Sequence, residues 1–440
     1  MKYVFTLVLF LMMGQYSLRG QAYSSYFTGS VSDVSPAAYG GICLMGGASE
    51  NDNAMAWFLQ QANGGDILVL RASGSDGYND YLYEDLGVTV NSVETIKFNS
   101  ANAASDPYIH QRIQQAEGIW FAGGDQWDYV SYWRGTAVDS LINLAISERN
   151  IVIGGTSAGM AIQGGYYFSA ENGTVTSATA LDNPYDSNVK VAHEPFIKNE
   201  FLADVITDTH YDNPDRRGRH TVFLARILTD LGLEARGIAC DEYTAVCINQ
   251  NGLAFVYGDY PSNNDNAYFI QPNCELDAGS PETCSSGVPL HWNHDGKALK
   301  VCVVKGTNVG LNTFDLNNWQ TSSGGSWEHW SVFNGILSVS DAEAPDCTPS
   351  AQAAALDKRA ALTFSNPVSG SLNVKISSDL IRKGELRLRD TSGIILMDTE
   401  VNGQGTYSFS VQHLPKGIYM LELLEGEDVL LIEKVHISNY

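Results

Sequence analysis

The sequence predicts an α/β protein: a doubly wound, mostly parallel sheet followed by a small all-β sandwich. Three observations carry this. From about Tyr39 onward, short apolar runs alternate with amphipathic stretches of helical length. Those runs are apolar throughout rather than at every second residue, as expected of strands covered on both faces. Past Asp341 the composition changes to Asp-Ala-Glu-Ala-Pro-Asp, Thr-Pro-Ser and an Ala-rich run, after which only short, partly alternating segments remain.

In order, Gly41–Met45 reads as a strand ending in Gly46-Gly47, and Asn53–Asn63 as a helix. Asp66–Arg71, with Ile-Leu-Val-Leu at its centre, is a buried strand, and Thr95–Phe98 a weaker one. Helix Pro107–Ala116 precedes strand Gly118–Ala122, and helix Asp139–Ser147 precedes strand Asn150–Ile153. Further strands are expected at Phe201–Ile206, Ile238–Cys240, Ala245–Asn249 and Leu299–Val304, with helix Val222–Leu231 closed by Gly232. Asn251-Gly252 between apolar runs is a hairpin signal. Residues 262–287, rich in Asn, Asp, Ser and Pro, read as a loop. In the last part, Leu372–Ile376, Glu385–Arg389, Ile394–Met397, Thr406–Val411, Ile418–Leu424 and Val429–Ile437 read as sandwich strands.

A length of 440 residues implies two or three domains. Residues 1–22 read as a secretory signal: Lys2, an apolar core Val4–Met13 too short to span a bilayer, and small residues at Gly20-Gln-Ala22, with Arg19 unusual after the core. The expected division is therefore 1–22 signal, 23–340 catalytic domain, 341–357 linker and 358–440 sandwich. No other stretch is apolar enough for a membrane span. The net charge of −24 argues against a nucleic-acid partner, which needs clustered Lys and Arg. Residues 357–440 hold nine basic and eleven acidic residues, so the charge belongs to the larger domain. Of seven cysteines, Cys274 and Cys284 flank a Pro/Ser/Gly loop and are the expected bridge. Cys43, Cys240, Cys247 and Cys302 lie in apolar runs and read as buried thiols. None has zinc spacing, so no structural metal is expected, and the serine chemistry read below needs no metal or organic cofactor.

The chemistry concentrates in Gly155-Thr-Ser-Ala-Gly159. Here G-x-S-x-G sits between a predicted strand and a helix-compatible stretch, the setting of a nucleophile elbow. Glycines let the backbone turn sharply and lift the Ser157 hydroxyl clear of the sheet. The N–H groups at the helix start, Ala158 first, are placed to hold an oxyanion. A serine needs a base. His210 follows a strand in Thr207-Asp-Thr-His-Tyr211, with His193 and His220 as competitors. Asp241-Glu242 follows the strand ending at Cys240, and either acid can orient the imidazole. Trp120-Phe-Ala-Gly-Gly-Asp-Gln126 also ends a strand; Gly124 offers a second oxyanion N–H and Gln126 a hydrogen bond to substrate.

The segments Gly-Gly-Asp-Gln126, Gly-Thr-Ser-Ala-Gly159, Asp208-Thr-His-Tyr211 and Asp241-Glu-Tyr-Thr-Ala245, in this order, resemble cyanophycinase and its relatives among the S51 serine peptidases. The resemblance covers about residues 39–260 and extends toward Leu337. It implies a fold like that of class I glutamine amidotransferases, a Ser157, His210, Glu242 triad, and substrate contacts from Gln126 and Asp208. It also implies a homodimer, although no interface pattern stands in the sequence. This chain departs from the family's Arg-rich stretch: Asp212-Asn-Pro-Asp215 precedes Arg216-Arg-Gly-Arg219, Val222 stands where a third Arg is expected, and Arg226 lies one turn on. Arg217 and Arg219 are the expected ligands of substrate carboxylates. Phe364-Ser-Asn-Pro367, Asp390-Thr-Ser-Gly393 and Leu414-Pro-Lys-Gly-Ile-Tyr419 resemble a type IX secretion sorting domain. This implies export through the periplasm by that machinery, to the medium or the cell surface.

The expectation is a secreted serine peptidase that cleaves β-aspartyl-linked peptides of the β-Asp-Arg kind through an acyl-enzyme. Its rivals are an isoaspartyl or other dipeptidase of the same fold, a catalytically silent surface binding protein, and a metal hydrolase using His291 and His294.

Overall fold

The computed structural model describes residues 21–193, 195–276, 279–347, 362–376, 384–390, 394–425 and 428–438. The predicted signal lies almost wholly outside the described residues, as does most of the predicted linker. The chain divides into two compact units, Met1–Asp346 and Cys347–Tyr440.

In the larger unit the strands run β1 (Tyr23–Gly29), β2 (Gly41–Met45), β3 (Asp66–Arg71), β4 (Ser92–Phe98), β5 (Gly118–Phe121) and β6 (Val152–Thr156). They continue with β7 (Tyr167–Phe168), β8 (Val191–Ala192), β9 (Val205–Asp208), β10 (Arg236–Cys240), β11 (Ala245–Ile248) and β12 (Leu253–Tyr260). The last six are β13 (Asn266–Pro272), β14 (Leu299–Lys305), β15 (Asn312–Asp315), β16 (Ser322–Ser323), β17 (Gly325–Phe333) and β18 (Ile336–Ala342). The first sheet has the order β1-β4-β3-β5-β6-β2-β11-β12-β15-β16. Its heart, β4-β3-β5-β6-β2, is wholly parallel, while the strands on either side pair antiparallel. The second sheet, β18-β17-β14-β13-β10-β9, is parallel only between β9 and β10. One core cluster takes Ile42, Leu70 and Ile153 from the first sheet and Ile238, Ala267 and Phe269 from the second. The alternate residues Ile67, Val69, Trp120 and Val152 pack into a second cluster with Phe58 and Leu59, so the parallel strands are apolar on both faces.

The parallel strands are linked by helices α1 (Asp52–Gln61), α2 (Gly77–Asp80), α3 (Pro107–Gln115), α4 (Gln126–Trp133) and α5 (Ala137–Arg149). After β6 come α6 (Ala158–Ala161), α7 (Ser177–Asp182) and α8 (Arg217–Leu231). Their ends follow side-chain chemistry. Asn51, Asp106, Asp125 and Thr136 accept backbone N–H groups at the starts of α1, α3, α4 and α5. Gly232 closes α8 in the left-handed region, φ 66°.

Three expectations change. Residues 262–287 are not one loop, because β13 runs through them with six of its seven residues buried. Its Asn and Gln polar groups find partners: Asn266 bonds Asp241 and Gln271 bonds the Trp319 carbonyl. The predicted linker begins too early, since Asp341 and Ala342 still pair with Glu328 and Trp327 in the sheet. Cys284 is a free thiol and Cys274 and Cys347 are the disulfide-bonded cysteines, which corrects the expected Cys274–Cys284 bridge.

The smaller unit is a β-sandwich. One sheet joins β19 (Leu362–Thr363), β20 (Ser371–Ile376) and β23 (Gly405–Ser410). The other joins β21 (Gly384–Arg389), β22 (Ile395–Val401), β24 (Gly417–Glu425) and β25 (Asp428–Ile437). Strict alternation in β20 turns Leu372, Val374 and Ile376 inward against Leu386, Leu388, Phe409 and Leu421.

Candidate active site

Five strand ends converge on the site. β6 stops at Thr156, and Ser157 makes the turn into α6 with φ 52° and ψ −115°. Such a conformation costs about 1–3 kcal/mol and persists only where the surroundings enforce it. They do so here. A Cβ at Gly155 would strike the Gly159 backbone, and one at Gly159 would strike the Phe121 carbonyl. The Ser157 N–H is tied to the Met45 carbonyl at 3.0 Å, so β2 braces the elbow.

His210 stands past the end of β9, itself in the left-handed region at φ 47°. Its N–H donates to the Gly46 carbonyl at 2.8 Å. Its Nε2 lies 2.8 Å from Ser157 Oγ, and its Nδ1 lies 2.7 Å from Glu242 Oε1. Gly47, at φ 113°, passes so close to Nε2 that a Cβ there would overlap the imidazole. Glu242 follows β10. Asn213 donates to its Oε2 at 3.3 Å, and its own N–H donates to Asp212 Oδ1 at 2.9 Å. The hydrogen bond from His210 holds the Glu242 carboxyl below the usual glutamate range, leaving it an anion at neutral pH. The structure thus brings Ser157, His210 and Glu242 into one hydrogen-bonded line.

The Gly123-Gly124 turn follows β5. The Tyr129 hydroxyl lies 2.9 Å from the Ala122 carbonyl and 3.0 Å from that of Gly123, fixing the turn. A Cβ on Gly123 would lie 3.7 Å from Ser157 Cβ, which brings this turn beside Ser157. Ala158 is the first residue of α6, so its N–H has no acceptor within the helix. Gln126 opens α4, and its Nε2 points to the Phe168 carbonyl at 3.4 Å.

Two predicted substrate ligands are placed differently. Arg219 and Asp208 are both 3% exposed and form a two-pronged ion pair, Nε–Oδ2 2.8 Å and Nη2–Oδ1 2.5 Å. Arg219 also donates to Thr174 Oγ1 and the Val175 carbonyl, with its guanidinium over the Phe168 and Phe223 rings. Burial alone would raise the Asp208 carboxyl, but Arg219 outweighs it and holds it low. The two charges satisfy each other inside the protein; this ion pair corrects the expectation that they bind substrate. Arg217 remains on the surface, paired with Asp215 at 2.6 Å. Arg226 stacks on Tyr185 and pairs with Asp230.

The competing histidines lie elsewhere. His220 is buried in α8 against the Ile206 carbonyl, and burial lowers it to about 4. His291 edges the Phe333 ring, and His294 bonds the Ser280 carbonyl. Among the described residues no group of three or more His, Cys, Asp or Glu is spaced to hold a metal ion. Sequence reasoning missed the supports, namely Asn213 and Asp212 on Glu242 and the Gly46 carbonyl on His210. Asp212 and Asn213 belong to the insertion after His210, which was visible as an insertion but carried no sign of its contacts.

Comparison with known proteins bears on this geometry. Residues 76–254, which contain Ser157, His210 and Glu242, match the model of peptidase family S51. Cyanophycinase from Synechococcus elongatus is 25% identical over 227 residues, covering 49% of this chain and 65% of that protein. Cyanophycinase from Trichormus variabilis is 24% identical over 177 residues, covering 40% of this chain and 53% of that protein. The chain thus spans less than two thirds of the length of these curated relatives. Among solved structures, a peptidase from an acI-B1 Actinobacterium is similar at a TM-score of 0.38 and 15% identity, covering 51% of this chain and 89% of that one. A putative peptidase E from Listeria monocytogenes has a TM-score of 0.32 and 14% identity, covering 50% of this chain and 98% of that one. Residues 363–438 match the secretion system C-terminal sorting domain, which indicates export. No helix among the described residues is long and apolar enough to cross a membrane.

Proposed function

We propose that this chain is an exported serine-type peptidase that hydrolyses β-aspartyl-linked peptides of the β-Asp-Arg kind through an acyl-enzyme on Ser157. The observation that carries the reading is the continuous line Ser157 Oγ, His210, Glu242, with contacts of 2.8 and 2.7 Å. His210 Nε2 takes the hydroxyl proton as Ser157 attacks the amide carbonyl. Glu242 fixes the ring by accepting from Nδ1 and balances the imidazolium that forms. The N–H groups of Ala158 and Gly124 receive the oxyanion. His210 then protonates the leaving amine. It next activates the water that frees the acyl group, restoring Ser157. The seat beside the Gly123-Gly124 turn suits Gln126 to a hydrogen bond with substrate, and half-buried Arg217, once released from Asp215, suits a substrate carboxylate. None of these steps calls for a cofactor.

The similarity to cyanophycinases and the match to family S51 support a β-aspartyl substrate. Residues 1–22 act as the signal for the first export step, the sorting domain addresses the chain to type IX machinery, and the peptidase works outside the cell. Release of β-Asp-Arg from a β-Asp-Arg polymer by the mature chain, lost in Ser157→Ala, tests the reading. Equal release by both proteins sinks it.

A further inference from the structure

His210 sits at φ 47°, a backbone conformation that favours glycine. Three successive carbonyls surround it, and the segment that follows takes each of them. Arg216 Nη1 donates to the Thr209 carbonyl at 3.0 Å. The Asn213 N–H donates to the His210 carbonyl at 3.3 Å, and the Arg216 N–H to the Tyr211 carbonyl at 3.0 Å. The same segment holds Glu242: Asp212 Oδ1 accepts its N–H, and Asn213 Nδ2 donates to its Oε2. Arg216 is the member that helix stability does not account for. It is the N-cap of α8, yet its side chain caps none of the free N–H groups, and a cation is disfavoured at that positive end. Asp215 occupies Arg217 and Asp208 occupies Arg219. Arg216 is half-buried, and the Thr209 carbonyl is the one hydrogen-bond partner of its side chain among the described residues. Its charge also reaches Glu242: after the His210 and Asn213 hydrogen bonds, Arg216 adds to what holds that carboxyl low.

We infer that residues 212–216 form a clasp that fixes His210 and Glu242 relative to Ser157, with Arg216 a positioning residue for His210. The inference rests on the reading of Ser157, His210 and Glu242 as the catalytic line. Arg216 grips the residue before His210 with its side chain and the residue after it with its backbone, so the imidazole leaves the chain at one angle. Without the guanidinium the Thr209 carbonyl loses this donor. The left-handed backbone at His210 is then free to relax, which carries Nε2 away from its 2.8 Å contact with Ser157 Oγ. Such a displacement slows the chemical step and leaves substrate binding in place.

Steady-state cleavage of a soluble β-Asp-Arg polymer by the mature chain tests it. In Arg216→Ala, kcat is expected to fall at least tenfold while KM changes less than twofold. The contact uses a single guanidinium N–H, so Arg216→Lys is expected to return kcat to within about threefold of wild type. A wild-type kcat in Arg216→Ala, or no recovery in Arg216→Lys, overturns the clasp. A loss carried by KM overturns it too, because it makes Arg216 a substrate ligand. Should Arg216→Ala not fold, Asp212→Ala decides: Asp212 is exposed, and its loss removes the acceptor of the Glu242 N–H. A kcat at least fivefold below wild type then supports the clasp, and an unchanged kcat overturns it. Should the wild type release nothing, the hydrolase reading fails separately, and hydrogen exchange of residues 205–213, read by peptide mass spectrometry, decides the clasp. Exchange at least tenfold faster in Arg216→Ala supports it; unchanged exchange overturns it.

Discussion

Ser157 and His210 both occupy backbone conformations that ordinary side chains avoid, and both are held there by groups outside their own segments. Glu242 does for His210 what a triad carboxylate does: it fixes one ring orientation and leaves Nε2 aimed at Oγ. Glu242→Gln keeps the size but not the charge. It is expected to lower kcat by about 10³–10⁴-fold with little change in thermal stability, by analogy with triad carboxamide variants. Steady-state kinetics beside a melting curve checks this. The Asp208–Arg219 pair predicts the opposite pattern. Asp208→Asn leaves a buried guanidinium without its anion, a loss of about 3–5 kcal/mol. Because the folded-state carboxyl is held low, the pair's contribution is present above the unfolded carboxylate range and is lost as pH falls through the folded value. Chemical denaturation should therefore show the wild type's advantage over Asp208→Asn shrinking in acid. Nothing in the sequence separated these roles, since Asp208 stands two residues from His210 and reads as a site residue until its burial is seen.

Among the elements, the turns after β2, β5, β6, β9 and β10 act together, and those after β2 and β6 are shaped by close approach of the backbone. Gly47→Ala places a methyl where the imidazole lies. Its expected effect is a fall in kcat of at least 100-fold, because His210 is displaced from Ser157. A variant with wild-type kcat would contradict this account of the turn. The strand–helix alternation through β6 was legible because those strands are apolar on both faces and their helices carry capping residues. What was not legible was β13, whose Asn, Tyr and Gln are satisfied only by distant partners, and β1, whose residues alternate between partial burial and exposure at a sheet edge. The start of α8 was also hidden. Arg217, Gly218 and Arg219 look like a surface stretch, yet Gly218 and Arg219 are buried.

At the scale of the molecule, an α/β unit is followed in sequence by a small sandwich whose alternating strands were readable individually. Deleting residues 363–438 removes the sorting domain while sparing every group in the triad. In the native host such a chain is expected to be missing from the medium and cell surface while keeping its turnover in cell extracts. Fractionation with a β-aspartyl peptide assay reads both outcomes. The second sheet was not foreseen as a separate layer, because its antiparallel partners come from the polar second half of the larger unit. That layer nevertheless supplies His210 and Glu242, so the site joins a serine from one sheet to a histidine and a carboxylate from another. The central claim is that this junction activates Ser157. Treatment of the mature chain with a fluorophosphonate, followed by peptide mass spectrometry, tests it most directly. The account predicts a covalent adduct on Ser157, greatly slowed in His210→Ala. An unmodified Ser157 in the folded wild-type protein would contradict it.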